Sequence, residues 1–162
     1  MAYFSKIDSN NIVIDSIRVE DSVVMENGAL SEQKGQEFLR KIFNEPDAIW
    51  KRTVKGMSEG INRNNGGEVF RKNFGAIGFT YDANKDAFIG IPLLNPDDTE
   101  CTTTIFNEDK CIWEKPTPRP TEPVGSTWDY ADIGGWKRLD LVSEGKRWEY
   151  NSTDGWLEVD II

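Results

Sequence analysis

The chain has 162 residues, with 28 acidic and 19 basic side chains, a formal charge of −9 and no histidine. A chain of this length can bury the core of one ordinary domain or of two small ones. The acidic balance disfavours nucleic acid as a partner, because a negative surface repels phosphate. The lack of histidine excludes Ser-His-Asp and Cys-His catalysis and most zinc sites.

No stretch of the sequence approaches the roughly 18 apolar residues that suggest a membrane span, and the start of the chain has no signal-peptide core. We therefore expect a soluble protein that is made in the cytoplasm and has no membrane partner. The two cysteines, Cys101 and Cys111, fall at offset positions of a predicted hairpin, which favours reduced thiols over a disulfide. No phosphate-binding glycine loop is present, and we expect no cofactor.

The N-terminal residues 2–20 predict a β-hairpin. Two apolar stretches with alternating character flank Ser9-Asn10-Asn11, whose short polar side chains favour a turn. The alternation changes phase around Asp15-Ser16, which indicates a bulge. Residues 21–30 are expected to be a connection.

Residues 31–44 predict the one convincing helix of the chain. Ser31 is a suitable N-cap, and Asn44 followed by Pro46 ends the helix. One apolar stripe runs along it, so the helix should lie flat on a sheet and cover it. The stripe consists of Phe38, Leu39, Ile42 and Phe43.

A strand, a loop and a central hairpin are predicted next. Residues 50–55 have the composition of a short strand, and residues 56–67 are too rich in Gly and Asn to pack. Residues 77–81 alternate between apolar and polar with period two, residues 82–86 favour a turn, and residues 87–91 form a second apolar stretch. The central hairpin therefore has an aromatic-rich face.

One pattern recurs along the chain: an aromatic residue, then Asp or Asn, then about four polar or small residues, then a large apolar residue. It begins at Tyr81, Phe106 and Tyr150, and a looser version begins at Phe4. Convergent turn composition and internal duplication both explain the pattern. The spacings are too irregular for a solenoid or a propeller.

A proline-rich segment marks the predicted domain boundary. A hairpin is expected over residues 100–114, and four prolines then follow within residues 115–125, a composition that favours an extended linker. We therefore predict a hairpin-rich domain over residues 1–114, a linker over 115–125 and a small Trp-rich β module over 126–162. The predicted fold class is α+β, mostly β, with antiparallel hairpins and one covering helix.

The C-terminal module is expected to have three to four short strands. A module of this size is marginal alone, so it should pack on the first domain or on another chain. Two alternatives stay open for Trp128 and Trp136. They are core residues of the module, or they form a platform on which the sugar rings of a host surface glycan stack.

The last hairpin, with its turn at residues 152–155, is the predicted assembly contact. Aromatic residues alternate there with Arg147 and Glu149, so we expect one apolar face and one charged face that includes Glu158 and Asp160. Uncovered apolar strands promote association, so the apolar face should be covered. The predicted contact consists of Trp148, Tyr150, Trp156, Leu157, Val159, Ile161 and Ile162.

Two acidic patterns are disfavoured as functional sites. Asp82, Asn84 and Asp86 have the spacing that begins a calcium loop, but Ala87 and Leu93 stand where the loop needs Gly and Glu. Glu144 and Glu149 resemble a glycosidase pair only in being two carboxylates near tryptophans. We predict that the chain is not an enzyme, with no catalytic and no metal-binding residues.

Three segments resemble a family of small virion proteins from tailed phages that infect marine cyanobacteria and related marine bacteria. The resemblance covers about residues 2–120, and the chain departs from the family at residues 92–106 and after Pro123. The matching positions are Phe4, Lys6 to Asp8, Asn10, Asn11 and Val13, then Phe70 to Asn73, Gly75, Gly78, Thr80 to Asp82 and Asp86 to Ile89, then Trp113 and Pro116.

The resemblance implies a structural part of a phage particle, assembled in the cytoplasm of the host bacterium. It carries over no catalytic residues. We expect a peripheral, multi-copy or homo-oligomeric protein that binds other virion proteins, associated with the tail or a fibre. Capsid decoration is the alternative within this class, and a carbohydrate-binding module that acts in adsorption is the alternative from another class.

Overall fold

A computed structural model describes residues 1–121 and 123–162 of the chain. In this part of the chain the fold is α+β and mostly β, with helices of 4 and 12 residues, which confirms the predicted fold class. The elements are β1 (Ala2–Ile7), β2 (Val13–Val19), α1 (Asp21–Val24), β3 (Met25–Glu26), β4 (Ala29–Leu30), α2 (Glu32–Phe43), β5 (Ile49–Thr53), β6 (Met57–Ser58), β7 (Ile61–Asn62), β8 (Thr80–Asp82), β9 (Ala87–Ile89), β10 (Ile105–Asn107), β11 (Ile112–Glu114), β12 (Trp128–Ala131), β13 (Gly135–Arg138), β14 (Lys146–Asn151) and β15 (Gly155–Asp160).

The chain divides into two compact units. The first unit comprises Met1–Ile91 and Asn107–Ile112, and the second comprises Pro92–Phe106 and Trp113–Ile162. This division differs from the predicted domains, because residues 92–106 and the proline-rich segment group with the C-terminal module. Within the second unit, Trp136 Nε1 donates a hydrogen bond to the Thr117 carbonyl at 3.0 Å, which ties this segment to β13.

A three-stranded antiparallel sheet with the order β2-β1-β5 organises the first unit. The predicted N-terminal hairpin is β1–β2. Its register passes from Lys6 opposite Asp15 to Ile7 opposite Val13, so Ile14 is the bulged residue, next to the predicted position. One core cluster lies on each face of the sheet: the first consists of Ala2, Phe4, Val19, Val24, Leu39 and Trp50, and the second of Ile7, Val13, Tyr81 and Phe88.

Helix α2 covers one face of this sheet with the predicted caps. The Ser31 side chain accepts a hydrogen bond from the Lys34 N–H at 3.2 Å, and Asn44 ends the helix in the left-handed conformation. Gly35 allows the close approach, since a Cβ there would lie 2.1 Å from Cζ of Phe4. The fold therefore accepts a glycine in the helix interior.

The prediction that the whole apolar stripe of α2 lies on the sheet is wrong. Leu39 is 1% exposed, but Ile42 is 61% and Phe43 43% exposed. Polar residues set this orientation: Gln36 Oε1 accepts from the Trp50 N–H at 3.0 Å, and Glu32 Oε2 accepts from the Arg52 N–H at 2.6 Å. Glu32 and Gln36 therefore face strand β5, and part of the apolar stripe of α2 faces away from the sheet.

The central hairpin covers the other face of the sheet. Its strands β8 and β9 are shorter than predicted, and Ile77 is 66% exposed. The segment before β8 pairs with the edge of β2 instead, where the Val13 N–H donates to the Phe79 carbonyl at 2.7 Å. Residues 21–30 and 56–67, predicted as a connection and a loop, contain helix α1 and the two-residue strand pairs β3–β4 and β6–β7.

The recurring sequence pattern corresponds to one type of hairpin. Aromatic rings face each other across the turn in Tyr81–Phe88, Phe106–Trp113 and Tyr150–Trp156, with centroids 5.2, 5.2 and 5.4 Å apart. The Asx residue after the first aromatic closes the turn: Asp82, Asn107 and Asn151 each accept hydrogen bonds from backbone N–H groups two or three residues later.

Candidate interaction surface

The register of β14–β15 places the predicted assembly residues on two faces. Tyr150 is opposite Trp156, Trp148 is opposite Glu158, and Glu149 is opposite Leu157. Side chains alternate along a strand, so Glu158 and Asp160 share a face with the tryptophans. The prediction of one apolar and one charged face is therefore wrong.

The aromatic face of this hairpin is engaged within the second unit. Trp148 Nε1 donates to the Leu141 carbonyl at 2.8 Å, and Lys137 Nζ lies 3.4 Å from the Trp148 ring centroid. The Trp156 ring lies against the tip of the β12–β13 hairpin, where a Cβ on Gly134 would be 3.1 Å from Trp156 Cδ1. Trp148, Tyr150 and Trp156 therefore pack inside the unit and do not form an open surface.

The opposite face of the hairpin is exposed. Leu157 is 42% exposed, and Val159 is half-buried beside it. Arg147 and Glu149, on the same face, form an exposed ion pair at 2.6 Å. Ile161 and Ile162 are exposed as well. Of the predicted contact residues, the structure therefore leaves Leu157, Val159, Ile161 and Ile162 accessible.

Trp128 and Trp136 lie on one face of β12–β13, together with Tyr130. Trp136 is directly opposite Tyr130, with ring centroids 5.3 Å apart, and Trp128 is opposite Arg138. Both tryptophans are half-buried, and Lys115 Nζ lies 4.5 Å from the Trp136 ring centroid. The rings are thus partly core residues, and sugar stacking stays a prediction for the parts of them that are accessible.

A half-buried carboxylate site around Asp132 was missed in the sequence. Asp132 lies two residues after Tyr130, and its carboxylate bonds a segment about 30 residues earlier in the chain. Its carboxylate accepts hydrogen bonds from the N–H and hydroxyl groups of Thr102 and Thr103, at 2.6–3.0 Å, and from the Cys101 thiol at 3.0 Å. Because residues 101–103 lie far from Asp132 in sequence, no local pattern could have identified this contact.

The surroundings of Asp132 shift two pKa values in opposite directions. Burial alone would raise the pKa of Asp132, but hydrogen bonds from Thr103, Cys101 and Thr102 outweigh it and hold the pKa well below its usual range. Burial, with the hydrogen bond to Asp132, raises the pKa of the Cys101 thiol. A protonated, buried thiol is a poor nucleophile. The hydrogen bonds to Asp132 hold the segment of residues 101–103 in place.

The central segment of the resemblance, from Phe70 to Ile89, lies within the first unit. Arg71 forms ion pairs with Glu32 of α2 and with Asp86 at 2.6 Å, and its side chain is only 7% exposed. Burial alone would lower the pKa of Arg71, but these two carboxylates raise it. The Tyr81 hydroxyl donates to Asp86 at 2.6 Å. Arg71 therefore joins the helix to the central hairpin.

A second buried arginine lies beside this network. Arg52 of β5 forms a two-point ion pair with Glu68, at 2.6 and 2.9 Å, and its guanidinium carbon lies 3.9 Å from the Phe70 ring centroid. The hydrogen bond from Arg52 lowers the pKa of Glu68 despite partial burial. Phe70 thus packs against a buried cation and does not offer a free ring.

Asn73 connects three segments of the first unit. Its side-chain amide donates to the carbonyls of Phe88, Lys110 and Cys111 at 3.0, 3.2 and 2.8 Å, and its oxygen accepts from the Glu59 N–H at 2.7 Å. The residue is 5% exposed and has a φ of 64°. The Phe70–Asn73 motif is therefore used to build the fold.

Acidic residues of the two disfavoured sequence patterns have local partners. Asp82 Oδ1 accepts from the N–H groups of Asn84 and Lys85, and Glu149 is paired with Arg147. Among the described residues, no group of three or more His, Cys, Asp or Glu side chains could hold a metal ion. Cys101 and Cys111 are both buried and free, as the sequence predicted.

No helix within residues 1–121 and 123–162 is both long and apolar enough to cross a membrane. Comparisons with protein-family models, with curated proteins and with solved structures found no match for the chain. The resemblance to phage virion proteins therefore stays a prediction.

Proposed function

We propose that the chain is a non-enzymatic structural protein of a tailed bacteriophage, peripheral on the particle and associated with the tail or a fibre. It is assembled into the virion in the cytoplasm of the host bacterium and binds other virion proteins. The exposed face of the β14–β15 hairpin, with Leu157 and Val159 beside the Arg147–Glu149 ion pair, carries the contact.

The residues of the resemblance support a shared scaffold. Four side chains of this segment form hydrogen bonds to one another, to Glu32 or to backbone carbonyls. They are Arg71, Asn73, Tyr81 and Asp86. A motif used in this way preserves a fold and supplies no reactive group. The contact with other proteins therefore lies outside the motif.

The observation that carries the proposed contact is the accessibility of Leu157. An apolar side chain that is 42% exposed, with a rim of charged residues, has the composition of a protein interface. The formal charge of −9 keeps such a protein soluble before assembly.

The first test locates the protein on purified particles by antibody–gold labelling, with an antibody raised against the recombinant chain. We expect label at the tail. Label over the whole head would favour capsid decoration, and particles without label would refute the virion role.

The second test examines the contact face with a matched pair of variants. Leu157→Asp places a charge on the exposed face, and Thr153→Asp places the same charge on the exposed turn of the same hairpin. We expect incorporation of the Leu157 variant into particles to fall about tenfold or more, as for an interface anchor, while the Thr153 variant is incorporated normally. Equal incorporation of both would rule this face out.

Adsorption to a host glycan is the second candidate, favoured by the shared face of Trp128, Tyr130 and Trp136. A glycan array with the purified protein tests it. Binding that is lost in Trp128→Ala, without a change in the thermal midpoint, would favour this role.

A further inference from the structure

The outer edge of strand β5 is bonded by side chains and not by another strand. β5 is the last strand in the order β2-β1-β5, so only one of its sides pairs with a strand within residues 1–121 and 123–162. Alternate residues of such an edge strand direct their N–H and C=O groups away from the sheet. Along residues 48–52 these outward groups belong to Ala48, Trp50 and Arg52.

The first part of helix α2 supplies acceptors to this edge. The Glu32 carboxylate accepts a hydrogen bond from the Arg52 N–H at 2.6 Å, and the Gln36 side chain accepts one from the Trp50 N–H at 3.0 Å. Both acceptors are half-buried against the strand. They occupy the positions at which a neighbouring strand would offer its carbonyl groups.

Arginine side chains supply the matching donors. Arg40, one helical turn after Gln36, donates from Nε to the Ala48 carbonyl at 2.6 Å. Arg71 donates from Nη1 to the Arg52 carbonyl at 2.7 Å. The edge of β5 therefore receives both acceptors and donors from side chains, as it would from the backbone of a further strand.

The repeat distances of the helix and the strand explain this fit. Four residues of an α-helix rise about 6 Å, and two residues of an antiparallel strand rise about 6.8 Å. Side chains at every fourth position of α2 can therefore meet every second residue of β5. Glu32, Gln36 and Arg40 are such positions, and they contact residues 48–52 in reverse order.

The opposite edge of the sheet is bonded mainly by backbone. Val13 of β2 donates from its N–H to the Phe79 carbonyl at 2.7 Å and accepts from the Gly78 N–H at 2.8 Å. Further along β2, the Asp15 carboxylate accepts from the Ser16 N–H at 2.7 Å. Closure of the β5 edge depends on side chains alone, so substitutions can open it without removing a strand.

We infer that Glu32, Gln36, Arg40 and Arg71 form an edge cap that prevents β5 from pairing with a strand of another chain. An exposed sheet edge is a template for strand addition and aggregation, and natural sheets protect such edges. The edge cap occupies the N–H and C=O groups that this pairing would use. The inference concerns the first unit alone and does not depend on the proposed virion role.

The test opens the edge with the double variant Gln36→Ala and Arg40→Ala, since alanine keeps the helix propensity high. Glu32 and Arg71 stay unchanged, because they pair with each other. We expect amide hydrogen exchange at the Trp50 N–H to become about tenfold faster, as for the loss of one hydrogen bond. The Arg52 N–H, still bonded to Glu32, should exchange as in the parent chain.

Sedimentation velocity over a concentration series then measures association. The double variant should form oligomers that increase with concentration beyond those of the parent chain. In the oligomers, exchange at the Trp50 N–H should slow again, because this group now pairs with a strand of another copy. That return of protection distinguishes edge pairing from association through any other surface.

Two controls match the double variant. Gln33→Ala with Lys41→Ala removes an amide and a cation from the exposed face of the same helix, and should change neither exchange nor association. Gln36→Glu keeps an acceptor for the Trp50 N–H and should behave as the parent chain. If near-UV circular dichroism shows that the double variant is unfolded, Gln36→Ala alone is measured in the same way.

Three results in a folded variant would overturn the inference. Unchanged exchange at the Trp50 N–H would show that the side chains do not close the edge. Faster exchange with the sedimentation behaviour of the control would show that an open β5 edge does not pair. Oligomers in which the Trp50 N–H still exchanges rapidly would place the contact elsewhere.

Discussion

Replacing Asn73 with alanine tests whether the Phe70–Asn73 motif serves the fold. The side chain is 5% exposed and bridges the loop at Glu59, the strand at Phe88 and the turn at Cys111. Phe88 and Cys111 are fully buried, so water cannot readily replace the lost donor. The substitution therefore removes hydrogen bonds that the fold has no other means of making.

The expected loss of stability follows from the groups that are left without a partner. A buried polar group without a hydrogen bond costs about 1–3 kcal/mol. Alanine also tolerates the left-handed conformation at φ 64° poorly, which adds about 1 kcal/mol. Together these terms amount to about 2–4 kcal/mol, a substantial part of the roughly 5–15 kcal/mol that stabilises an ordinary domain.

Urea unfolding followed by tryptophan fluorescence measures this loss. Asn73→Gly keeps the left-handed conformation and loses the same hydrogen bonds, so it should be less destabilised than Asn73→Ala by about 1 kcal/mol. Asn84→Ala is the matched control, because Asn84 is exposed and donates to its turn only through its backbone N–H. An Asn73→Ala variant within about 0.5 kcal/mol of the parent chain would refute the structural role of the motif.

Three further predictions concern packing and pH. Gly35→Ala should destabilise the chain by about 1–3 kcal/mol, because the new Cβ meets Phe4; an unchanged urea midpoint would contradict the close approach of the helix. The pKa of Asp132 is lower in the folded than in the unfolded chain. The contribution of this carboxylate to the free energy of unfolding is therefore present above about pH 4 and is lost as the pH falls. From pH 5 to pH 2, the free energy of unfolding should therefore fall less steeply in Asp132→Asn than in the parent chain. The difference in slope should correspond to about one titrating group. Equal slopes would refute this. Burial and Asp86 raise the pKa of Tyr81 to about 12, so its contribution is present below its unfolded pKa of about 10 and is lost as the pH rises through the folded value. Tyr81→Phe should lose less stability between these values, and identical pH profiles would contradict the hydrogen bond to Asp86.

The sequence by itself determined the local elements. The hairpin turns follow from Asx side chains that bond their own backbone, as at Asp82 and Asn151, and these bonds span only two or three residues. The ends of α2 follow from Ser31 and Asn44 for the same reason. Such interactions form between neighbours in the chain, so residue type and spacing suffice to predict them.

The tertiary structure decided which faces of these elements are covered. The apolar stripe of α2 predicted burial of Ile42, but hydrogen bonds from β5 to Glu32 and Gln36 turn the helix so that Ile42 is exposed. In β15, the period of two places Glu158 on the face of Trp156, and Glu158 is accommodated there by Ser143, whose hydroxyl donates to it at 2.8 Å. An apolar pattern indicates that a helix or strand has an apolar face. Polar groups on other segments determine whether that face is covered and which segment covers it.

The polar groups with partners distant in sequence depended on tertiary structure most of all. Asp132 meets residues 101–103, and Arg71 meets Glu32 from a position 39 residues away. Each of these groups is charged, and nothing in its own segment distinguishes it from a solvated side chain. Only the folded chain brings its partners within hydrogen-bonding distance, because the energy that stabilises a buried charge comes from groups that are distant in sequence.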